Sequence, residues 1–278
     1  MNSGAALTHS SMATNSETQR TLDTLRDELD ALMRLSHGGT LRSKVAIMHC
    51  ERQWRTVYCR QPPLRRCMSE VIIARTCRNA LLKVIFSDIT HFEGGDVIVT
   101  TANNRLAGME GVDGLVHDAA GPGLREECDE IARKRRAQNL QPCPVGTAVT
   151  TGAYDLPAAK LIHVTGPDCR RPNQDEGRRD LLRQSYEAMF EELSGLKKKE
   201  RETVVAPPLS MDIFAYPHRE GARLTMEVLL TWLDAEEDAG VKNYLMITRE
   251  QNFITNLKTI YRESEDQLPG HDSTREYR

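Results

Sequence analysis

Residues 82–104 read LKVIFSDITHFEGGDVIVTTANN, and this stretch decides the fold class. It contains two short apolar runs, 82–86 and 97–101, and each is followed by polar residues, as in buried strands that end in loops. Helical patterns follow at 112–119 and 124–136. Strands that alternate with helices indicate an α/β fold, with a mostly parallel sheet covered on both faces.

The same alternation continues almost to the end of the chain. Short β-rich runs are separated by longer amphipathic segments, so each run is expected to add one strand to the same sheet. The further predicted strands are 147–151, 160–165, 204–206 and 244–248, and the further predicted helices are 178–196 and 220–233.

The two ends of the chain differ from this central region, for which we predict the bounds 82–260. Residues 1–36 are predicted to be a polar N-terminus with a short helix at 17–35, which either docks on its own domain or forms a short coiled coil. Residues 37–81 are predicted to be a basic extension that packs on the domain, and 261–278 a polar tail. The basic stretch either contacts nucleic acid or an acidic partner, or is a solvated face.

Composition excludes several classes of protein. The chain has 278 residues, a net charge of -3 and 28% charged residues, and it has no apolar run near the ~20 residues that a membrane helix needs. The negative charge disfavours nucleic-acid binding. Seven cysteines without a Cys-x-x-Cys pair indicate reduced thiols and an intracellular protein, in the cytoplasm or nucleus. A mitochondrial location is the alternative that the acidic residues after Arg20 disfavour.

Three polar features follow predicted strands or a glycine-containing loop. Asp88 comes directly after the first strand, where it either caps a turn or accepts a hydrogen bond from a ligand. Asn103 ends the second strand, where an amide suits either a turn or a sugar hydroxyl. Asp113 and His117 are four residues apart on one helix face, behind a loop whose backbone N–H groups suit a phosphate.

The order of these motifs resembles the macrodomain family, in its MacroD-type branch. The resemblance covers about residues 82–250, and its strength lies in the number of motifs that occur in the right order. The matching segments are Asp88-Ile89-Thr90, Thr101-Ala102-Asn103-Asn104, Gly111-Val112-Asp113-Gly114, His117, Ala119-Ala120-Gly121-Pro122, Cys143-Pro144-Val145-Gly146, Tyr154-Asp155-Leu156-Pro157, Ile162-His163-Val164-Thr165-Gly166-Pro167 and Ser210-Met211-Asp212-Ile213-Phe214-Ala215-Tyr216-Pro217.

The resemblance implies a three-layer α/β/α domain with a mixed, mostly parallel sheet and an ADP-ribose cleft above it. Asp88 would hold the adenine amine, Asn103 would orient the distal ribose, and the diphosphate would lie between loops 108–112 and 210–214. The implied ADP-ribose-binding residues are Asp88, Ile89, Asn103, Gly108, Gly111, Val112, Ser210, Met211, Asp212, Ile213 and Phe214, and the implied catalytic residues are Asn103, Asp113 and His117.

The implied activity is hydrolysis of mono-ADP-ribose esters on Asp and Glu side chains, together with deacetylation of O-acetyl-ADP-ribose. The alternative is a catalytically silent reader of ADP-ribose or ADP-ribosylated proteins. The zinc-dependent branch of the family has Cys and His ligands around the glycine loop, and this loop has neither before His117, so we expect no metal and no cofactor. We expect a monomer with no membrane partner.

The chain departs from the family pattern at three places. Thr100 stands for the first Asn of the amide motif, the glycine loop contains Met109 and Glu110, and Asp212 and Ala215 replace small residues of the later loop. Two acids near a diphosphate would weaken its binding if they pointed inward. We expect Glu110 and Asp212 to face solvent instead.

Overall fold

The computed structural model describes residues 69–92, 94–108, 111–170, 177–235 and 237–265. The predictions for residues 1–36 and for most of 37–81 therefore lie outside the described residues. Within the described ranges the strands are β1 (Glu70–Thr76), β2 (Leu81–Phe86), β3 (Val97–Thr101), β4 (Thr147–Gly152), β5 (Lys160–Thr165), β6 (Thr203–Ala206) and β7 (Asn243–Thr248). The helices are α1 (Gly111–Ala120), α2 (Pro122–Ala137), α3 (Arg178–Gly195), α4 (His218–Leu233) and α5 (Gln251–Glu265), with short 3-10 turns at Ile89–His91 and Lys198–Glu200.

One seven-stranded sheet organises the domain, in the order β1-β2-β7-β6-β3-β5-β4. The two outer pairs, β1 with β2 and β4 with β5, are antiparallel, and the inner pairings are parallel. This confirms the predicted mixed, mostly parallel sheet. It also brings the carboxyl ends of β2, β7, β6, β3 and β5 to one edge, which is where ligands bind in open α/β sheets.

Helices cover both faces of the sheet, which confirms the three-layer fold. Alternate residues of β3 point to opposite faces, so Val97 and Val99 enter one hydrophobic cluster and Ile98 the other. Helices α3, α4 and α5 contribute to the first cluster, and α1 and α2 to the second. Strands buried on both faces read as continuous apolar runs, which explains the pattern in the sequence. Among the described residues, no helix has the length and apolar character needed to cross a bilayer.

Two elements of the domain were not predicted. The sheet begins at Glu70, upstream of the predicted start at 82, because β1 is an edge strand in which Ile73 alone is buried and which therefore lacks a clear apolar pattern. Helix α5 follows β7 and extends to Glu265, past the predicted beginning of the polar tail at 261. Its buried residues, Phe253 and Leu257 among them, are embedded in an otherwise polar segment.

Candidate functional site

The predicted site residues are collected at one edge of the sheet. Asp88 follows β2, Asn103 and Gly108 follow β3, and loop 210–214 follows β6. Because β2, β3 and β6 are parallel members of one sheet, their carboxyl ends face the same side. Asp113 and His117 join them because α1 begins where the loop after β3 ends.

Asp88 is both a cap and a candidate ligand group. It caps the 3-10 turn Ile89–His91, and its Oδ1 accepts hydrogen bonds from the Thr90 backbone N–H at 3.0 Å and from Thr90 Oγ1 at 2.8 Å. Its other oxygen, Oδ2, lies 3.2 Å from the Nη2 of Arg249, just beyond β7. Sequence reasoning missed Arg249, since a single arginine after a strand carries no motif.

The loop after β3 is held by side chains at both of its ends. Asn103 Oδ1 accepts hydrogen bonds from the backbone N–H groups of Arg105, at 3.0 Å, and Ala107, at 3.3 Å. Arg125, on α2, donates to the carbonyl oxygen of Ala107. The Ala107 backbone is therefore held at both its N–H and its C=O group. Among the described residues, none accepts a hydrogen bond from the Asn103 amide nitrogen, so this group can donate to a ligand.

Gly108 lies directly against the ring of His117. A Cβ at Gly108 would lie 2.1 Å from His117 Cγ, and the φ angle of Gly108 is +54°. Glycine adopts this left-handed conformation without steric cost and has no Cβ to meet the ring. The loop can therefore close over the imidazole at this position.

Asp113 and His117 are buried beneath that loop, with exposed fractions of 3% and 5%. Asp113 Oδ1 lies 3.8 Å from His117 Nε2 and accepts a hydrogen bond from Thr100 Oγ1 at 3.1 Å. Thr100, a departure from the family pattern, thus orients the acid. Asp113 Oδ2 accepts no hydrogen bond within the described part of the chain.

Burial sets the charge of this pair. Loss of hydration raises the pKa of Asp113 to about 7, although the Thr100 hydroxyl opposes the shift. Loss of hydration likewise lowers the pKa of His117 to about 4. Between these values both side chains are neutral, so the contact is not an ion pair. Near neutral pH the carboxyl group is partly ionised, as suits a group that can both accept and release a proton.

The raised pKa of Asp113 leads to a prediction about how the unfolding free energy of Asp113→Asn depends on pH. A raised pKa means that the folded state holds its proton longer than the unfolded chain, so the parent loses stability as pH rises from about 4 to about 7. The amide carries no charge and keeps an oxygen for Thr100. We expect the variant and the parent to have equal unfolding free energies near pH 3. Between about pH 4 and pH 7 the difference in favour of the variant should grow by about 1.4 kcal/mol per pH unit, and above pH 7 it should stay at a few kcal/mol.

Urea unfolding at pH 3.5, 5, 7 and 8.5 measures this difference. Asp118→Asn is the matched control, because it removes an exposed acid from the same helix. A constant difference between Asp113→Asn and the parent across the pH series would contradict the assigned pKa.

Loop 210–214 packs against the glycine loop and only partly matches prediction. The Met211 side chain is fully buried, and a Cβ at Gly221 would lie 2.0 Å from its Cε, so only its backbone can face a ligand. Asp212 was expected to face solvent, and this is wrong: it is half-buried, with Oδ2 3.0 Å from where a Cβ on Gly111 would be. Ile213 Cδ1 would lie 2.8 Å from the same added Cβ. Glu110 lies outside the described residues.

Two other members of this loop are positioned by backbone geometry and a stacked arginine. Ser210 is 3% exposed, with a φ of +63°. The Phe214 carbonyl accepts a hydrogen bond from the Cys169 N–H at 2.8 Å, and the Arg170 guanidinium lies 5.4 Å from the centre of the Phe214 ring. Phe214 is therefore held in place by Cys169 and Arg170.

Behind the site lies a buried group of His117, Cys128 and His163, whose donor atoms are all within 4.8 Å of one another. Burial raises the pKa of the Cys128 thiol to about 12 and lowers the pKa of His163 to about 3. Cys128 Sγ lies 3.9 Å from His163 Nε2, which also lies 3.1 Å from Thr151 Oγ1. Cys128 and Thr151 are the partners of His163 Nε2, whereas His163 Nδ1 and both ring nitrogens of His117 have no hydrogen-bond partner among the described residues. The expectation of a metal-free site stays a prediction.

Comparison with known proteins decides the family. The Macro domain family model matches residues 99–225. O-acetyl-ADP-ribose deacetylase 1 of Pantoea vagans is 36% identical over 150 residues, which cover 53% of this chain and 80% of that protein. The chain belongs to the macrodomain family.

Other similarities of this macrodomain agree with that assignment. ADP-ribose glycohydrolase MACROD1 of Rattus norvegicus is 35% identical over 161 residues, which cover 58% of this chain and 57% of that protein. The Oceanobacillus iheyensis macrodomain, whose structure contains ADP, is 25% identical with a TM-score of 0.60, over 70% of this chain and 97% of that one. The predicted family resemblance is thereby confirmed.

Proposed function

We propose that this macrodomain binds ADP-ribose along the described edge and is a hydrolase of mono-ADP-ribose esters on Asp and Glu side chains and of O-acetyl-ADP-ribose. The observation that carries the proposal is the buried Asp113, with a pKa of about 7, beside a neutral His117 and under the Gly108 loop. A binding module needs no such acid. The names of two relatives, a deacetylase and a glycohydrolase, support the same chemistry.

The proposed mechanism is general-base hydrolysis. Water adds at the carbon of the ester linkage and gives one proton to Asp113. The ester carbon–oxygen bond then breaks, and Asp113 returns that proton to the departing oxygen, which leaves ADP-ribose, a carboxylic acid and the regenerated base. Asp113 Oδ2 is the oxygen assigned to this water, because Oδ1 is held by Thr100 whereas Oδ2 accepts no hydrogen bond from the described residues. Oδ2 is buried, so the water reaches it only when the covering loop moves. Asn103 Nδ2 would orient the distal ribose, and Phe214 would pack beside it.

The diphosphate is assigned to the space between loops 108–112 and 210–214. Backbone N–H groups near Gly108 and Gly111, both with positive φ, are the donors that this assignment uses. Asp212 places a carboxylate against Gly111 on the same path, so it would repel the ligand unless it moved. The proposed substrate and the sequence are therefore in partial conflict at this residue.

That conflict leads to a prediction for Asp212→Asn. Removing one negative charge beside a diphosphate is expected to tighten ADP-ribose binding about tenfold, which corresponds to ~1.4 kcal/mol. Isothermal titration calorimetry in low salt measures the change, with Asp180→Asn, an exposed acid on α3, as the control for net charge. Equal affinities for the parent and Asp212→Asn would show that the carboxylate does not oppose the ligand.

The experiment that tests the function uses the full chain. It is incubated with a protein carrying ADP-ribose on Asp or Glu, and separately with O-acetyl-ADP-ribose, and the released ADP-ribose is measured. Calorimetry with free ADP-ribose is run in parallel. Release above the uncatalysed rate supports the hydrolase; binding without release supports the reader instead; and absence of both rejects an ADP-ribose site.

A further inference from the structure

Arg249 lies beside Asp88 at the ligand-binding edge of the sheet. Phe86, at the end of β2, pairs in parallel register with Thr248, at the end of β7. The residues that follow these two positions therefore leave the sheet side by side. Arg249 Nη2 reaches to 3.2 Å from Asp88 Oδ2 across this gap.

Asp88 is fixed before it meets the arginine. Its Oδ1 accepts two hydrogen bonds from Thr90, so its carboxylate has one orientation, with Oδ2 toward the guanidinium. The Asp88 side chain is 16% exposed and the Arg249 side chain 35% exposed. A partly solvated ion pair of this kind contributes little to folding stability. Folding stability therefore does not explain why Arg249 and Asp88 are paired here.

We propose that Arg249 is a base-binding residue that stacks its guanidinium on the purine base of bound ADP-ribose while Asp88 accepts the 6-amino group. This inference rests on the proposed function. The planar guanidinium stacks on aromatic rings, and base stacking is favourable for every base. A carboxylate has about four acceptor sites, so Asp88 can hold Arg249 and still accept from an amine. The ion pair thereby fixes the plane of the Arg249 guanidinium relative to the Asp88 carboxylate, which accepts the 6-amino group of the base.

The pair then has two separable contributions to recognition. Asp88 distinguishes a 6-amino purine from a 6-oxo purine, because the oxo group is an acceptor and finds no donor in a carboxylate. Arg249 supplies affinity for the base itself through its planar face, which a lysine ammonium lacks. Neither contribution reaches the ester end of the ligand, where Asp113 lies.

The test measures binding to the full chain by displacement of a fluorescent ADP-ribose derivative. The competing ligands are ADP-ribose and ribose 5-diphosphate, which has no base. Arg249→Ala is expected to weaken ADP-ribose about tenfold and ribose 5-diphosphate less than twofold. Arg249→Lys, which keeps the charge, is expected to weaken ADP-ribose about fivefold. In hydrolysis of the ester, Arg249→Ala should raise KM and leave kcat unchanged.

Arg75→Ala is the matched control, since it removes a similar ion pair with Asp234, at 3.4 Å, from the opposite end of the sheet. It should bind both ligands as the parent does. Equal affinity of Arg249→Ala and the parent for ADP-ribose overturns the inference, as does an equal loss for both ligands or full function in Arg249→Lys. A parent that binds no ADP-ribose overturns the proposed function as well, which distinguishes the two failures. Melting temperatures check that both alanine variants are folded.

Discussion

Asp113→Asn is expected to slow ester hydrolysis at least about 100-fold, while ADP-ribose binds within about tenfold of the parent affinity. The amide cannot take a proton from water at neutral pH, but it keeps the size of the side chain and an oxygen for Thr100. Because the pKa of Asp113 is raised to about 7, the parent rate should also climb with pH up to about that value and then level off. Single-turnover kinetics on a mono-ADP-ribosylated protein, from pH 5 to 9, measures both effects.

Thr100→Val is the control that separates general-base chemistry from a structural role. The valine has the size of threonine but donates no hydrogen bond to Asp113, and that bond lowers the pKa of the acid in the parent. The rising limb of its pH–rate profile should therefore move to higher pH, with little loss of the maximum rate. A folded Asp113→Asn protein that hydrolyses at the parent rate would show that Asp113 is not the base.

The sequence predicted most of the sheet because its central strands are buried on both faces. Strands β3 and β5 were predicted with the bounds that the structure has, since Val97–Thr101 and Lys160–Thr165 are continuous β-rich runs. Strand β1 was not predicted because it lies at the edge of the sheet, and helix α5 was not predicted because its composition is mixed. In β1 the inward and outward residues do not alternate clearly, and α5 buries a narrow apolar stripe within a polar segment.

The site was predicted in part, because spacing reports which residues share a face but not how deeply they are buried. The spacing predicted that Asp113 and His117 lie on the same helix face. It could not predict that both side chains are neutral, because that depends on their burial beneath the loop. Arg125 and Arg249 were missed because each comes from an element distant in sequence and matches no motif. The direction of Asp212 was wrong because it depends on contact with Gly111, which no local pattern reports.

Gly108→Ala is expected to lower turnover about 100-fold and to destabilise the fold. The added Cβ would lie 2.1 Å from His117 Cγ, so either the ring or the loop must move by more than 1 Å. A displacement of that size in a catalytic group typically costs about 100-fold in rate. The left-handed φ of +54° adds roughly 1–2 kcal/mol of strain for a residue with a Cβ.

Gly177→Ala isolates the contribution of the backbone strain, because Gly177 also has a positive φ, +75°, but a Cβ there would meet no atom of the described residues within 4 Å. Both variants should lose the stability that the left-handed conformation costs, and Gly108→Ala alone should lose turnover and further stability. Urea unfolding and single-turnover kinetics, run on both proteins, give the two differences. If Gly108→Ala kept the parent turnover, loop 103–108 could shift without disturbing catalysis, and the close contact with His117 would have no part in the reaction. Loss of turnover in both variants would instead indicate a general response of the domain to strain.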